Sequence, residues 1–406
     1  MDSAESQQLK KNYFWNTLGS LMTSLSSALL LIVVTRTLGA ELGGIFSLAF
    51  AVGQQYQILG AFEMRPYQAT DIKGRFRFGT YLGSRCITCL AMLLAICCYA
   101  LWTYGFSYEA GLAFSVAGLR FFDAAEDVFH GMFQQKGRLD IAGRALFLRS
   151  LISTVVFTAA LVITKNLMAT CIITAVISLA ALIWINIPAA RNFGSIRPSF
   201  NLKPLGLLFA ACLPLFLGSF LQSDLINVPR YGIAGTLSNT DQTIYAIIYM
   251  PALVINLLVG FVFKPLLTSL AEMLELRKLD EFLHLLLKCV GIIAGVSVLG
   301  EIAAYFIGIP ILSLLYGVNL DAYLPALLTI ILGGAFNALS VILYYSLVTM
   351  LLVICYLGAD LLTHGISGWL IASYQLMGAV FTYDLSMALL CVLFLIAFFY
   401  SFRRQK

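Results

Sequence analysis

Charge is what this sequence has least of. Only 11% of its 406 residues are Asp, Glu, Lys or Arg, against about 25% in soluble domains. Long polar stretches are missing as well, so no interval is left for a soluble domain. Histidine is scarce: His130, His284 and His364 stand far apart in sequence, which speaks against a metal centre. The cysteines lie in apolar segments. Cys86 and Cys89 form a C-x-x-C, but no second pair or neighbouring His accompanies it, so it reads as packing. There is no phosphate-cradling Gly loop and no nucleophile–base pair. These gaps weigh against an ATP-driven machine, an enzyme, a cofactor protein and a nucleic-acid binder.

What is present is hydrocarbon-compatible sequence, 60% hydrophobic. Apolar runs of about 20 residues, the length a helix needs to cross a bilayer, recur along the chain. They predict an all-α polytopic membrane protein. Twelve spans are expected, at roughly 13–35, 42–62, 79–103, 108–130, 146–164, 168–190, 205–227, 242–264, 283–308, 322–346, 349–372 and 378–401. The first lacks a small-residue cleavage site and reads as an uncleaved helix. Between spans ten and eleven, SLVTMLLVICYLG carries no charge and almost no loop, so one long helix and eleven spans is the alternative there.

Lys and Arg set the orientation. With the N-terminus inside, the inner segments hold Lys10, Lys11, Arg65, Lys73, Arg75, Arg77, Lys136, Arg138, Arg144, Arg191, Arg197, Lys203, Lys264, Arg277, Lys278, Arg403, Arg404 and Lys406. The outer segments hold Arg36, Lys165 and Arg230. Both termini are therefore expected in the cytoplasm. The most polar mid-chain interval, RNFGSIRPSFNLKP (Arg191–Pro204), divides the chain into residues 1–195 with spans one to six, a linker at 196–204, and residues 205–406 with spans seven to twelve. The halves echo each other: VTR at Val34–Arg36 matches VPR at Val228–Arg230, and Arg65-Pro66 matches Lys264-Pro265. With six helices per half, this fits a parallel repeat about an axis along the membrane normal.

The charges inside the spans need partners or a wet cavity. Arg120, Asp123 and Asp127 share one helix face, and Glu126 and His130 a neighbouring one. Arg85 on span three and Arg149 on span five start at similar depth. Two readings fit: an ion-pair brace of Arg85 and Arg149 against Asp123, Glu126 and Asp127, or a protonatable, substrate-contacting cluster. Asp360 and His364 are four residues apart in span eleven, suited to a structural hydrogen bond or to taking up a proton or cation. Asp224 and Glu301, nearer the outer ends, read as solvated. Ser20, Thr23, Ser24 and Ser27 recur at helical spacing in span one, either packing helices or lining a wet cleft. Pro214 and Pro251 fall inside spans seven and eight as bending points.

Five segments carry a family resemblance: RPYQATD (Arg65–Asp71), FFDAAEDVFHGMFQQKGRLDIAG (Phe121–Gly143), LPLFLGSFLQSDLINVPRYGI (Leu213–Ile233), MPALVINLLVGFVFKPLL (Met250–Leu267) and IPILSLLYG (Ile309–Gly317). With the twelve-span layout, the chain resembles the polysaccharide flippases (Wzx-like oligosaccharide-lipid transporters) of the MOP superfamily. The resemblance implies two six-helix lobes of MOP/MATE type around a central cleft. It also implies an undecaprenyl-pyrophosphate-linked oligosaccharide as substrate, moved by alternating access from the inner to the outer leaflet of a bacterial cell membrane. The chain departs from that pattern at Thr349-Met350, where such proteins usually carry a basic loop.

A diphosphate crossing an apolar slab needs cations, and Arg suits it because its planar fork makes paired hydrogen bonds. Arg36 and Arg230, ending spans one and seven, are the first candidates; snorkelling to lipid headgroups is the alternative. Arg65 and Lys264 are their inner counterparts, for which an ordinary positive-inside role also serves, and Arg120 is a fifth cleft cation. Expected partners are the lipid-linked glycan, membrane lipid, and the polymerase and glycosyltransferases that act on the same glycan, with the chain a monomer. The competing functions are a cation-coupled drug or metabolite antiporter of the same fold and a membrane polymerase or ligase. Residues 13–35 hold no Asp or Glu, which disfavours the former. The outer loops are short, which disfavours the latter.

Overall fold

The structure, a computed structural model, describes residues 3–71, 73–263, 273, 279–344 and 349–404. Among the described residues there are helices joined by short connections, and no strand. The chain forms two compact units, Met1–Phe220 and Leu221–Lys406.

The first unit opens with α1 (Ser3–Leu38), α2 (Ala40–Ala61), α3 (Met64–Thr70) and α4 (Phe78–Tyr104). It continues with α5 (Tyr108–Gly118), α6 (Phe121–Gln135), α7 (Leu139–Thr164), α8 (Leu167–Arg191) and the start of α9 (Leu202–Thr236). Helix α1 lies along α7, and glycine sets their spacing. A Cβ at Gly143 would stand 2.3 Å from the Trp15 carbonyl carbon, and one at Gly19 would stand 2.8 Å from the Gly143 oxygen. Small residues at helix crossings let backbones meet in a membrane, where no hydrophobic force drives helices together. The hydroxyls of α1 then reach α7 directly: Thr23 to Ser150 at 3.1 Å, and Thr154 to Ser26 at 2.7 Å. Of the stripe Ser20, Thr23, Ser24 and Ser27, Thr23 makes such a contact, while Ser20 and Ser24 are exposed.

The connection after α3 is held by Asp71. Its carboxylate accepts from the backbone N–H of Arg75 (2.8 Å) and Phe76 (3.1 Å) and from the Tyr81 hydroxyl (3.0 Å). Burial pushes this carboxyl up, but those three donors outweigh it and hold the group below the usual carboxylate range. Met64, Phe76, Tyr81, Phe129, Phe133 and Leu208 form an apolar core around that loop.

One expected span is corrected. The run 108–130 is not a single helix: α5 ends at Gly118 and α6 begins at Phe121. The Leu119 and Arg120 N–H groups bond three residues back, at 3.2 and 3.1 Å, so the chain tightens there. The tightening falls on Arg120, the first charge of the cluster.

The second unit takes the rest of α9, then α10 (Asn239–Phe263), α11 (Leu279–Ala303), α12 (Ile309–Tyr316), α13 (Leu324–Tyr344) and α14 (Thr349–Arg404). The ninth expected span also changes. A π-helical turn at Ala304–Gly308 carries α11 into α12, so the apolar segment runs on to Tyr316 and stops at Gly317 (φ 69°), a left-handed cap that glycine adopts without cost. Helix α14 holds two segments that meet at Gln375 (φ 52°, ψ −130°), between the spans expected at 349–372 and 378–401. Gly378 makes that bend compact: a Cβ there would stand 2.0 Å from the Leu370 carbonyl oxygen. Residues 345–348, which decide the alternative of one long helix between spans ten and eleven, lie outside the described residues.

Eight helices among the described residues are long and apolar enough to cross a membrane. One of them, Leu351–Tyr400, contains the bend at Gln375. The chain is an all-α polytopic membrane protein.

Candidate functional site

Two clusters of charge stand out, one in each unit. In the first, α6 supplies three carboxylates and four guanidiniums converge on them. Asp123 receives Arg120 at 2.8 Å and also pairs with Arg149. Arg149 reaches Glu126 at 2.7 Å. Asp127 receives Arg85 at 2.9 Å and Arg65 at 3.5 Å. Arg85 also donates to the Gly60 carbonyl, which takes the Thr88 hydroxyl at 2.7 Å. Arg85, Arg120, Glu126 and Arg149 are all buried.

The structure places Arg85 and Arg149 against these carboxylates, and Arg120, Arg65 and Asn186 join them. Arg65, expected as a cleft cation or an ordinary inner-side charge, is half-buried and also donates to Gln134 at 3.2 Å. Asn186 of α8 donates to Glu126 at 3.4 Å. A lone Asn inside the apolar run IWINIPAA was the one sequence signal for that contact. His130 is buried with its Nε2 3.9 Å from Glu126. Arg120 is further fixed by Ser27 at 3.1 Å and by the Phe50 ring, 4.1 Å from its guanidinium carbon. Charges this well matched stabilise helix packing; a buried pair that loses one member costs about 3–5 kcal/mol.

The second unit is built differently. Arg230, near the end of α9, is buried, at 8% exposure. It donates to Asn227 at 2.9 Å and lies 5.2 Å from the centre of the Tyr249 ring. Among the described residues no carboxylate lies within ion-pair distance of it, and its Nε–H has no partner. Gln242, Tyr245 and Tyr249 share one face of α10. Tyr249 packs on Tyr245 at 6.1 Å and on Tyr383 at 5.1 Å. Both amide atoms of Gln242 and the hydroxyl of Tyr245 are buried without partners. Snorkelling, the alternative for Arg230, does not fit a buried side chain. Its repeat counterpart Arg36 is exposed in the last turn of α1, so the two matched positions have different surroundings. Lys264 lies outside the described residues.

The pair Asp360–His364 gains a third member. His364 Nε2 contacts Asp224 Oδ2 of α9 at 2.9 Å and Asp360 Oδ1 at 3.8 Å. Asp224, expected to be solvated, is thus the nearer partner. One ligand atom from each of the three lies within 4.8 Å of the others, a set suited to a cation. Sequence distance hid it, because α9 and α14 supply the residues from positions 140 apart. Asp384 was missed outright. Its Oδ1 is buried without a side-chain partner, and only a glycine at 333 leaves room, since a Cβ there would stand 2.1 Å away.

The chain shares its fold with solved structures of MOP-superfamily transporters. The inward-facing conformation of a multidrug resistance MATE family transporter of that superfamily superposes with a TM-score of 0.63 at 14% identity, covering 100% of this chain and 95% of the other. The outward-facing conformation of a multidrug resistance MATE family transporter gives 0.56 at 15% identity, covering 98% and 96%. A MOP superfamily transporter from Pyrococcus furiosus, described by the reverse polarity of its binding pocket, gives 0.57 at 15% identity, covering 98% and 96%. No protein-family model matches the chain, and no curated protein matches it in sequence. At these identities the likeness shows the fold alone.

Proposed function

We propose that the chain moves an undecaprenyl-pyrophosphate-linked oligosaccharide from the inner to the outer leaflet of a bacterial cell membrane, by alternating access, for cell-surface polysaccharide synthesis. The observation that carries this reading is Arg230. A buried guanidinium without a carboxylate is expensive and calls for an anion. The unpartnered Gln242 amide and Tyr245 hydroxyl beside Tyr249 offer that anion further hydrogen bonds. A diphosphate has the charge and the acceptor oxygens for such a set. Arg36, Arg65, Lys264 and Arg120 are the further cations of this proposal, with Arg65 and Arg120 the weaker members because α6 carboxylates already hold them. In this reading both termini are cytoplasmic, residues 1–195 and 205–406 are the two lobes, and the chain is a monomer. It hands its cargo between glycosyltransferases inside and a polymerase outside.

The coupling site in this proposal is Asp224, Asp360 and His364, which take up a proton or cation during the cycle. The same carboxylates, with Asp384, favour a second reading: a cation-coupled drug or metabolite antiporter, as the multidrug resistance neighbours are described. Two substrates separate the readings. Reconstituted protein is given a fluorescent undecaprenyl-pyrophosphate glycan and, separately, a fluorescent organic cation. Flipping of the first without efflux of the second supports the flippase. Efflux of the cation alone supports the antiporter.

A further inference from the structure

The first unit contains a small cavity of about 60 Å³ between α1, α7, α8 and the Leu119–Arg120 junction. Part of its wall is apolar, with Phe50 and Phe157, and part carries hydroxyls, among them Ser150, Thr154, Thr174 and Ser178. Two guanidiniums, Arg120 and Arg149, also line it. Each has an Nε–H that is buried and has no hydrogen-bond partner, and the Thr174 hydroxyl is in the same state. These side chains are 8%, 4% and 3% exposed. A buried donor left unmade costs roughly 1–3 kcal/mol, more when it is charged, so something satisfies them.

The chemistry of the wall narrows what that is. The one carboxylate that lines the cavity, Asp123, is spent: Oδ2 takes Arg120 and Oδ1 takes Arg149. Glu126 draws on Arg149 as well, but it does not line the cavity. The cavity therefore offers unspent donors and no unspent carboxylate. Two guanidiniums at its wall repel a cation. A water offers two acceptor lone pairs but no charge to two cationic donors. An anion meets both guanidiniums and turns the surrounding hydroxyls toward itself. The volume admits roughly one small ion with a water, since a liquid water occupies about 30 Å³.

We propose that this cavity is a binding site for a small monovalent anion, chloride in the cell, held by the Nε–H groups of Arg120 and Arg149 and the Thr174 hydroxyl. Arg120 is common to this site and to the substrate cations proposed above. Occupancy satisfies buried donors where α1, α6, α7 and α8 meet, and so adds to the stability of the first unit.

The test uses the purified full chain in detergent. Melting is followed in sodium gluconate, sodium chloride and sodium bromide at fixed ionic strength, and crystals are grown in bromide. The expected result is a saturable rise in Tm with chloride and bromide over gluconate, with anomalous bromide density in the cavity. Arg120 and Arg149 also brace the fold, so the variants chosen are Thr174→Val and Ser178→Ala. Both are expected to melt close to wild type in gluconate; Thr174→Val, which removes a ligand, raises the half-maximal halide concentration severalfold, and Ser178→Ala, whose hydroxyl is held by Ser153, changes it less. Equal melting of wild type in gluconate and chloride overturns the proposal. So does a halide response that Thr174→Val leaves unchanged.

Discussion

The two units treat buried charge in opposite ways. In the first, carboxylates of α6 absorb Arg65, Arg85, Arg120 and Arg149. In the second, Arg230 is buried with no carboxylate beside it among the described residues, and Asp224 and Asp360 crowd one half-exposed His364. The difference separates structure from function. Paired charge inside a bilayer gives packing and specificity at a desolvation cost. Unpaired charge is retained against a larger cost, and a ligand is the physical reason to retain it.

The largest effect should come from breaking the pairing in the first unit. Asp123→Ala leaves both Arg120 and Arg149 short of an acceptor, and a loss of about 3–5 kcal/mol is expected. Thermal unfolding in detergent checks it; an unshifted Tm would mean the brace is decorative. The mirror experiment in the second unit should give the opposite pattern. Arg230→Gln removes an unpaired buried charge, so Tm should hold or rise while flipping of the diphosphate glycan falls by at least tenfold. A variant that unfolds like Asp123→Ala would erase the contrast between the units.

A smaller, pH-shaped effect is expected at His364. Histidine is the side chain suited to proton uptake near physiological pH, and His364 stands between two carboxylates. His364→Gln should flatten the dependence of transport rate on pH between about 5 and 8. An unchanged profile would place coupling elsewhere. The smallest effect belongs to Asp71, outside both clusters. Its folded value lies below the unfolded one, so its contribution is full above the unfolded value of about 3.9 and fades as pH falls through the lowered folded value. Asp71→Asn should therefore cost stability at neutral pH and nothing at the acid end.

The fold was largely legible because apolar runs of membrane length report helices directly. The brace was legible too, since Asp123, Glu126 and Asp127 fall within a turn or so of one another and can meet Arg85 and Arg149 only across a bundle. Three things were not. The break at Leu119–Arg120 is marked in sequence by Gly118 alone and shows in the structure as hydrogen bonds tightened by one residue. The π turn at Ala304–Gly308 continues an apolar run without interruption. The Asp224–His364 contact joins positions 140 apart, a distance that periodicity along one helix cannot span. Arg230 was legible as a candidate, but its burial came from Asn227 and Tyr249, whose roles depend on how α9 and α10 pack.

The most direct test of the account is flipping of an undecaprenyl-pyrophosphate oligosaccharide by the reconstituted chain, compared between wild type and Arg230→Gln at matched protein levels. Rapid flipping by wild type and at least tenfold loss in a variant that remains folded is the predicted result. Equal rates for the two proteins, or no flipping by wild type, would contradict it.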